Sequence, residues 1–440
     1  MGRRVFLGGG VCAMLWSSTA QAQAKPFVLE ARPAALSLAG PDAKPVQALA
    51  YNGAAPGPLL RVRQGAPLTL RLVNGLAAPT TLSFPGLRVG NAFAGIGGLT
   101  GAPFAPGASA DIAFAPPEPG FNLYMPHSGA AASEQISRGL FGPIVVEETA
   151  PPAADLEAIV VLADWRLDAD GAVAGLGDPG IERGPERRGD LVTVNSAPGP
   201  ARFSAAPGAR VRLRLANAAT TRTMNVLVDG GRVHIVAVDG QPSEMFEPLR
   251  NLLPVSPGAR FELMFDLPRT GLRLTLRGDP GDLERPAIVF DAAGEPLPAR
   301  PAVVALPPNP RLPTEINLEQ SRRFELILTG GGESPYAVSG VTFKDWSAKS
   351  AFTAPRGAPV TLGLANKTPY PQTMRLWGHV ARLLHPLDDG WEPYWRDILV
   401  VQPGKTLHAA FIADNPGKWP IESVSPERRN AGLAAWFQVS

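Results

Sequence analysis

Three times in 440 residues the same two short patterns recur in the same order. Gly65 is followed by Leu68, Leu70 and Leu72, then Asn74; Gly208 by Val211, Leu213 and Leu215, then Asn217; Gly357 by Val360, Leu362 and Leu364, then Asn366. In each copy the Asn stands nine residues after the Gly. The apolar residues between them alternate, as in a strand with one face in a core. The second pattern is a Pro-Gly turn with a Phe seven residues after the Gly: Gly107 to Phe114, Gly258 to Phe265, Gly404 to Phe411. Equivalent residues lie 143 to 151 positions apart, the length of a domain rather than of a solenoid repeat. A chain this long divides its core among several domains.

Gly (47) and Pro (48) are abundant and long helical patterns are scarce, which favours short strands joined by turns. The chain is therefore expected to be all-β, with three consecutive β-sandwich domains at 25–149, 153–295 and 312–440. The Pro-rich stretches 149–153 and 295–313 read as stiff linkers. Residues 167–190 read as a long surface loop and 95–101 as a flexible one.

Residues 1–24 have a basic start, an apolar run over 5–16 and small-residue cleavage motifs ending at Ala22 and Ala24. The run is shorter than the roughly 18 residues of a membrane span. Arg3-Arg4-Val5-Phe6-Leu7 resembles the twin-arginine signal, which exports folded proteins, so a periplasmic location is expected. No second such run occurs, and no transmembrane span is expected in the mature form. The formal charge is +2; without Arg3 and Arg4, Lys plus Arg falls from 41 to 39 against 39 Asp plus Glu. A neutral chain gives no reason to expect nucleic acid as a partner. The single cysteine, Cys12, lies in the leader, which leaves the mature chain without a thiol or a disulfide.

The motifs between the repeats resemble those of the multicopper oxidases, which include the laccases. Tyr51-Asn52-Gly53 with Pro56-Gly57-Pro58 resembles the family's opening. Residues 120–146, GFNLYMPHSGAAASEQISRGLFGPIVV, resemble GxxWxHPHxHGxxxxQxxxGLxGxxIV. Val194-Asn195, Arg212-Leu213-Arg214-Leu215-Ala216-Asn217 and Val238-Asp239-Gly240-Gln241-Pro242 are family-like, as is residues 415–439, NPGKWPIESVSPERRNAGLAAWFQV. The resemblance covers nearly all of the mature chain. It implies three cupredoxin-like Greek-key domains and four motifs that converge on copper.

At those motifs the ligands are missing. HxHG becomes Ser83-Phe84-Pro85-Gly86, and HPH becomes Met125-Pro126-His127. HPxHxHG becomes Gln372-Thr373-Met374-Arg375-Leu376-Trp377-Gly378. In the last motif Glu422, Ser423 and Val424 replace His-Cys-His, Arg428 replaces a later His, and Leu433 replaces the axial Met. Of the motifs' histidines only His127 remains. Copper takes imidazole, thiolate or thioether donors, whereas Arg and the Trp indole only donate hydrogen bonds. No copper or other cofactor is expected, and no catalytic residue.

Residues two apart on a strand share a face, which would turn Ser83 with Pro85, Met125 with His127, Arg375 with Trp377, and Glu422 with Val424 into the former cluster volume. Trp377, Met125 and Val424 read as filler, because an emptied cavity is costly. Buried charges need partners. The expectation is a polar plug in which Arg375 pairs with Glu422, joined by His127, tying the first domain to the third. His234 reads as a middle-domain strand residue and His379 as a non-ligand; His385 and His408 are expected to have packing or surface roles. Asp388-Asp389-Gly390-Trp391 and Tyr394-Trp395-Arg396-Asp397 resemble a loop near the family's blue copper and read as packed.

No GxSxG, phosphate loop or HExxH occurs. The leading expectation is a copper-free family member with a structural or interaction role and a periplasmic or envelope protein as partner. It resembles the family's twin-arginine-exported, copper-free member linked to cell division and envelope stress. The alternatives are a copper-dependent oxidoreductase of laccase type, and a periplasmic binder of a small ligand or single metal around His127, Met125 and Glu422.

Overall fold

The computed structural model describes residues 26–185, 187–278, 284–385 and 390–440. The leader with Cys12 lies outside these residues, as do Asp388 and Asp389. The regular structure of the described chain is nearly all strand, and its sheets divide into three successive pairs. In the first pair Val46–Tyr51, Phe27–Leu36, Leu68–Asn74 and Ser109–Phe114 form one sheet in that order. Leu60–Arg63, Gly142–Glu147 and Gly120–Tyr124 form the other. The middle pair has five and six strands, and the last has five and five. Each pair encloses its own apolar core.

The sequence repeat has a concrete structural meaning. In every domain the Gly-to-Asn strand lies parallel to the domain's first strand: Leu68–Asn74 beside Phe27–Leu36, Arg210–Asn217 beside Leu156–Trp165, and Pro359–Asn366 beside Arg322–Gly331. On its other edge it pairs antiparallel with the strand that follows the Pro-Gly turn. Both ends of this pair are clamped. Gly107, Gly258 and Gly404 donate their N–H groups to the carbonyls of Asn74, Asn217 and Asn366 at 2.8, 2.9 and 2.8 Å. At the far end Gly65, Gly208 and Gly357 donate to Pro116, Leu267 and Ala413. All six glycines have φ between 71° and 82°, which a side chain would strain. The Asn side chains are fully buried and each amide nitrogen donates to two backbone carbonyls in loops or at a strand end. Gly and Asn recur because one strand pair needs a turn at each end and a buried donor to hold the neighbouring loops.

Two loops differ from the sequence expectation. Residues 95–101 are not a loose surface loop. Ile96 is fully buried and packs, with Ala94, into the third domain's core. Trp346 of the third domain donates its indole N–H to the Gly97 carbonyl at 3.0 Å. The glycines serve close approach: at Gly95 (φ 69°) a Cβ would stand 1.9 Å from the Leu82 carbonyl oxygen, and at Gly97 2.7 Å from that of His127. Gly95→Ala is expected to destabilise the fold by at least about 2 kcal/mol, combining backbone strain with a clash; urea unfolding measures it.

The 167–190 segment is also only partly a surface loop. It carries a bridge between Leu167 and Val173 and the short helix Pro179–Glu182. Its end docks between domains through Arg187, whose side chain is 2% exposed. The second Pro-rich linker lies on the middle domain, with Val303 and Leu306 packed on Val236 and Met264.

Candidate functional site at the junction of the domains

Four segments supply the positions that the resemblance assigns to copper ligands: the turn after Thr81, the end of strand Gly120–Tyr124, strand Gln372–Leu376, and strand Gly417–Ser423 with the helix Pro426–Asn430. Their partial strand character matters. Pro85, His127, Trp377 and Val424 all lie beyond strand ends, so strict alternation does not set their direction. Ser83, Pro85, His127, Gln372, Arg375, Trp377, Glu422, Ser423, Arg428 and Leu433 are buried, while Met125 and Val424 are half-buried.

His127 and Glu422 meet. The His127 Nε2 lies 2.7 Å from Glu422 Oε1, and each side chain is 4% exposed. An ionised carboxylate only accepts, so Nε2 carries the proton. The Trp377 indole donates to the same oxygen at 2.9 Å and stands edge-on to the imidazole, 5.2 Å between centroids. Arg429 Nη1 lies 3.9 Å away. Burial raises the Glu422 carboxyl, but His127, Arg429 and the Trp377 N–H together hold it below its ordinary value. Trp377 is thus a hydrogen-bond donor as well as filler. Ser83 donates its hydroxyl to the Met125 carbonyl at 2.7 Å, which ties the two first-domain segments together.

Arg375 departs from the expectation. The ladder sets it opposite Glu422, yet its guanidinium reaches Asp397, with Nε 3.1 Å from Oδ2. The reason is the middle domain. Arg260 fills the space beside Arg375 and bonds the other Asp397 oxygen at 2.6 Å, so one carboxylate takes two guanidiniums. Arg260 also donates to the Asp239 carbonyl at 2.9 Å and to the Asn122 side chain at 3.1 Å. Asp239 accepts the N–H groups of Arg260 and Ile398, both at 3.1 Å. This group of two arginines and two aspartates therefore touches all three domains. Burial pushes the Asp239 carboxyl up, against the pull of Arg260. Burial likewise depresses the Arg375 guanidinium, against Asp397.

A second buried knot sits on the helix Pro426–Asn430, whose Ser425 cap accepts from the Arg428 N–H. Glu427 takes Arg187 Nε at 3.0 Å and the Ser137 hydroxyl at 3.1 Å, again joining three domains. Arg428, where the resemblance has a histidine, donates to Gln372 Oε1 and to the carbonyls of Pro371, Gly184 and Pro185. His379 is 1% exposed. Its Nδ1 lies 3.1 Å from the Trp377 carbonyl and its Nε2 accepts from the Asn415 N–H at 3.4 Å. Burial drives its pKa from 6.5 to about 4. His234 lies on its strand half-buried and His408 is exposed. Of the loop that includes Asp388 and Asp389, Trp395 is buried and Tyr394 stacks on Phe246 at 5.4 Å.

Copper, which the fold implies, does not fit this donor set. Among the described residues no three His, Cys, Asp or Glu side chains gather as a metal site. His127 Nε2 is committed to Glu422, Arg428 and the Trp377 N–H only donate, and Pro85, Val424 and Leu433 bring no donor atom. What the arrangement does supply is a set of buried ion pairs across the domain boundaries.

Sequence models described as multicopper oxidase match residues 36–151, 157–270 and 307–440. The multicopper oxidase MmcO of Mycobacterium tuberculosis is 25% identical over 452 aligned positions, covering 92% of this chain and 85% of that protein. Copper resistance protein A of Pseudomonas syringae pv. tomato is 38% identical over 120 positions, only 27% of this chain and 19% of that one. Among solved structures, a multi-copper oxidase from Pseudomonas thermotolerans superimposes with a TM-score of 0.84 at 28% identity, covering 94% of this chain and 99% of that one.

Proposed function

The chain belongs to the multicopper oxidase family, and from that premise we propose that it is a member without redox copper, serving as a structural or interaction module of the cell envelope. The observation that carries this reading is the His127–Glu422 contact at 2.7 Å. The last histidine of the four motifs spends its Nε2 on an intramolecular carboxylate, and the neighbouring positions are filled by Trp377, Arg375 and Arg428. Burying so many charges is not a route to higher stability by itself. It does hold the three domains in one arrangement, which suits a protein that presents a fixed surface. The Arg3-Arg4 leader supports export in a folded state to the periplasm, where the partner would be an envelope protein, with a division role as one form of this reading.

Addition of Cu(II) to the purified mature protein tests the first half. No blue thiolate band, no phenol oxidation and no stoichiometric copper after dialysis are expected; several coppers bound per molecule would overturn the reading. Crosslinking in the periplasm with the native leader, followed by capture, tests the second half.

A further inference from the structure

The junction leaves a second feature that the copper question does not touch. Where residues 88–93 and 114–117 of the first domain face 356 and 414–416 of the third, a cleft of about 460 Å³ opens, with Arg311 of the linker at its side. We propose that this cleft binds a small organic carboxylate that carries an aromatic or branched apolar body.

Its charges are layered. Deep in the cleft Arg88, with a side chain 5% exposed, donates to Asp414 Oδ2 at 2.5 Å and lies 3.5 Å from Glu118. Arg311, 57% exposed, lies 3.2 Å from the same Glu118. Arg356 is exposed on the rim, and among the described residues no carboxylate forms an ion pair with it. Three guanidiniums thus face two carboxylates, both already engaged by Arg88, and the surplus positive charge lies at the mouth. A guanidinium offers a planar fork that matches a carboxylate in two hydrogen bonds.

The remaining wall is apolar. Phe93 is a large ring left 43% exposed, 5.9 Å between centroids from the buried Phe114. An exposed aromatic beside one unpaired arginine and a second that shares its carboxylate, in a concavity within the size range of ligand sites, is the arrangement that holds an amphipathic anion. The carboxylate would sit at Arg356 and Arg311, with the apolar body on Phe93.

Isothermal titration of the full mature chain with 3-phenylpropionate tests this, with 3-phenylpropionamide and inorganic sulfate as comparison probes. One-to-one binding of the carboxylate is expected, about 10-fold weaker for the amide. Arg356→Gln, a surface change that should leave thermal stability unaltered, is expected to weaken binding about 10-fold, as one lost charge-assisted hydrogen-bond pair implies. Phe93→Ala is expected to weaken 3-phenylpropionate but not sulfate. The proposal is overturned if 3-phenylpropionate fails to saturate, if the amide binds equally well, or if Arg356→Gln binds like the parent.

Discussion

Replacing Arg260 by Met is expected to destabilise the three-domain assembly by about 3–5 kcal/mol, the range for removing one member of a buried ion pair. Arg260 is 1% exposed, and its guanidinium lies 3.7 Å from the Asp239 carboxylate and 2.6 Å from that of Asp397, an ion pair with each. Asp397 would keep Arg375, but Asp239 would keep only backbone N–H groups. Its carboxyl, already raised by burial, would rise further. The cost should therefore be greatest at neutral pH and shrink as acid protonates the orphan. Asp239→Asn in the Arg260→Met background should recover part of the loss, because the uncompensated charge goes with it. Urea unfolding of the two single variants and the double variant decides. A double variant no more stable than Arg260→Met alone would show that packing, not charge, carries the effect.

His379 sets the second large effect. Its folded pKa of about 4 lies below the value of 6.5 it takes when exposed. Below pH 6.5 the unfolded chain binds a proton that the folded chain refuses, so stability falls as pH drops from about 6.5 and the loss is complete near 4. The difference between those values amounts to about 3 kcal/mol. Glu422, held below its ordinary carboxyl value, titrates with the opposite chemistry but the same sign. Its contribution is present above the ordinary carboxylate range and is lost only below it. Asp239, whose carboxyl burial raises, titrates with the opposite sign above that range, so between pH 6.5 and 4.5 it is the difference between parent and a His379 variant that reports the histidine. His379→Phe should be less stable at pH 7, since the bonds to Trp377 and Asn415 go, yet lose less on acidification. Equal acid slopes in parent and variant would place the titrating group elsewhere.

The fold was legible because its signal is local. Gly65 and Asn74, or Gly258 and Phe265, lie within one strand of each other, and the turns and buried amides that require them recur at fixed spacing. The contact of His127 with Glu422 was also readable, since both stand at motif positions. The partner of Arg375 was not. Choosing among replaced positions pointed to Glu422, whereas Asp397 stands in a loop that resembles the family without being a ligand position, and Arg260 stands in the strand after a repeated Pro-Gly turn. Arg260 and Asp397 are 137 residues apart, and Arg187 and Glu427 are 240 apart; no periodicity links them. The 95–101 loop misled for another reason. Its glycines read as freedom of motion, while the structure uses them to let two backbones touch.

The imidazole of His127 now leans on a single acidic oxygen that it shares with Trp377. Replacing Glu422 by histidine, on its own, would set a second imidazole beside His127, remove the acidic oxygen that His127 and Trp377 share, and leave Arg429 with the Gly129 carbonyl. The residues at these positions therefore hold one another in place, and a change at one asks for a change at its partners.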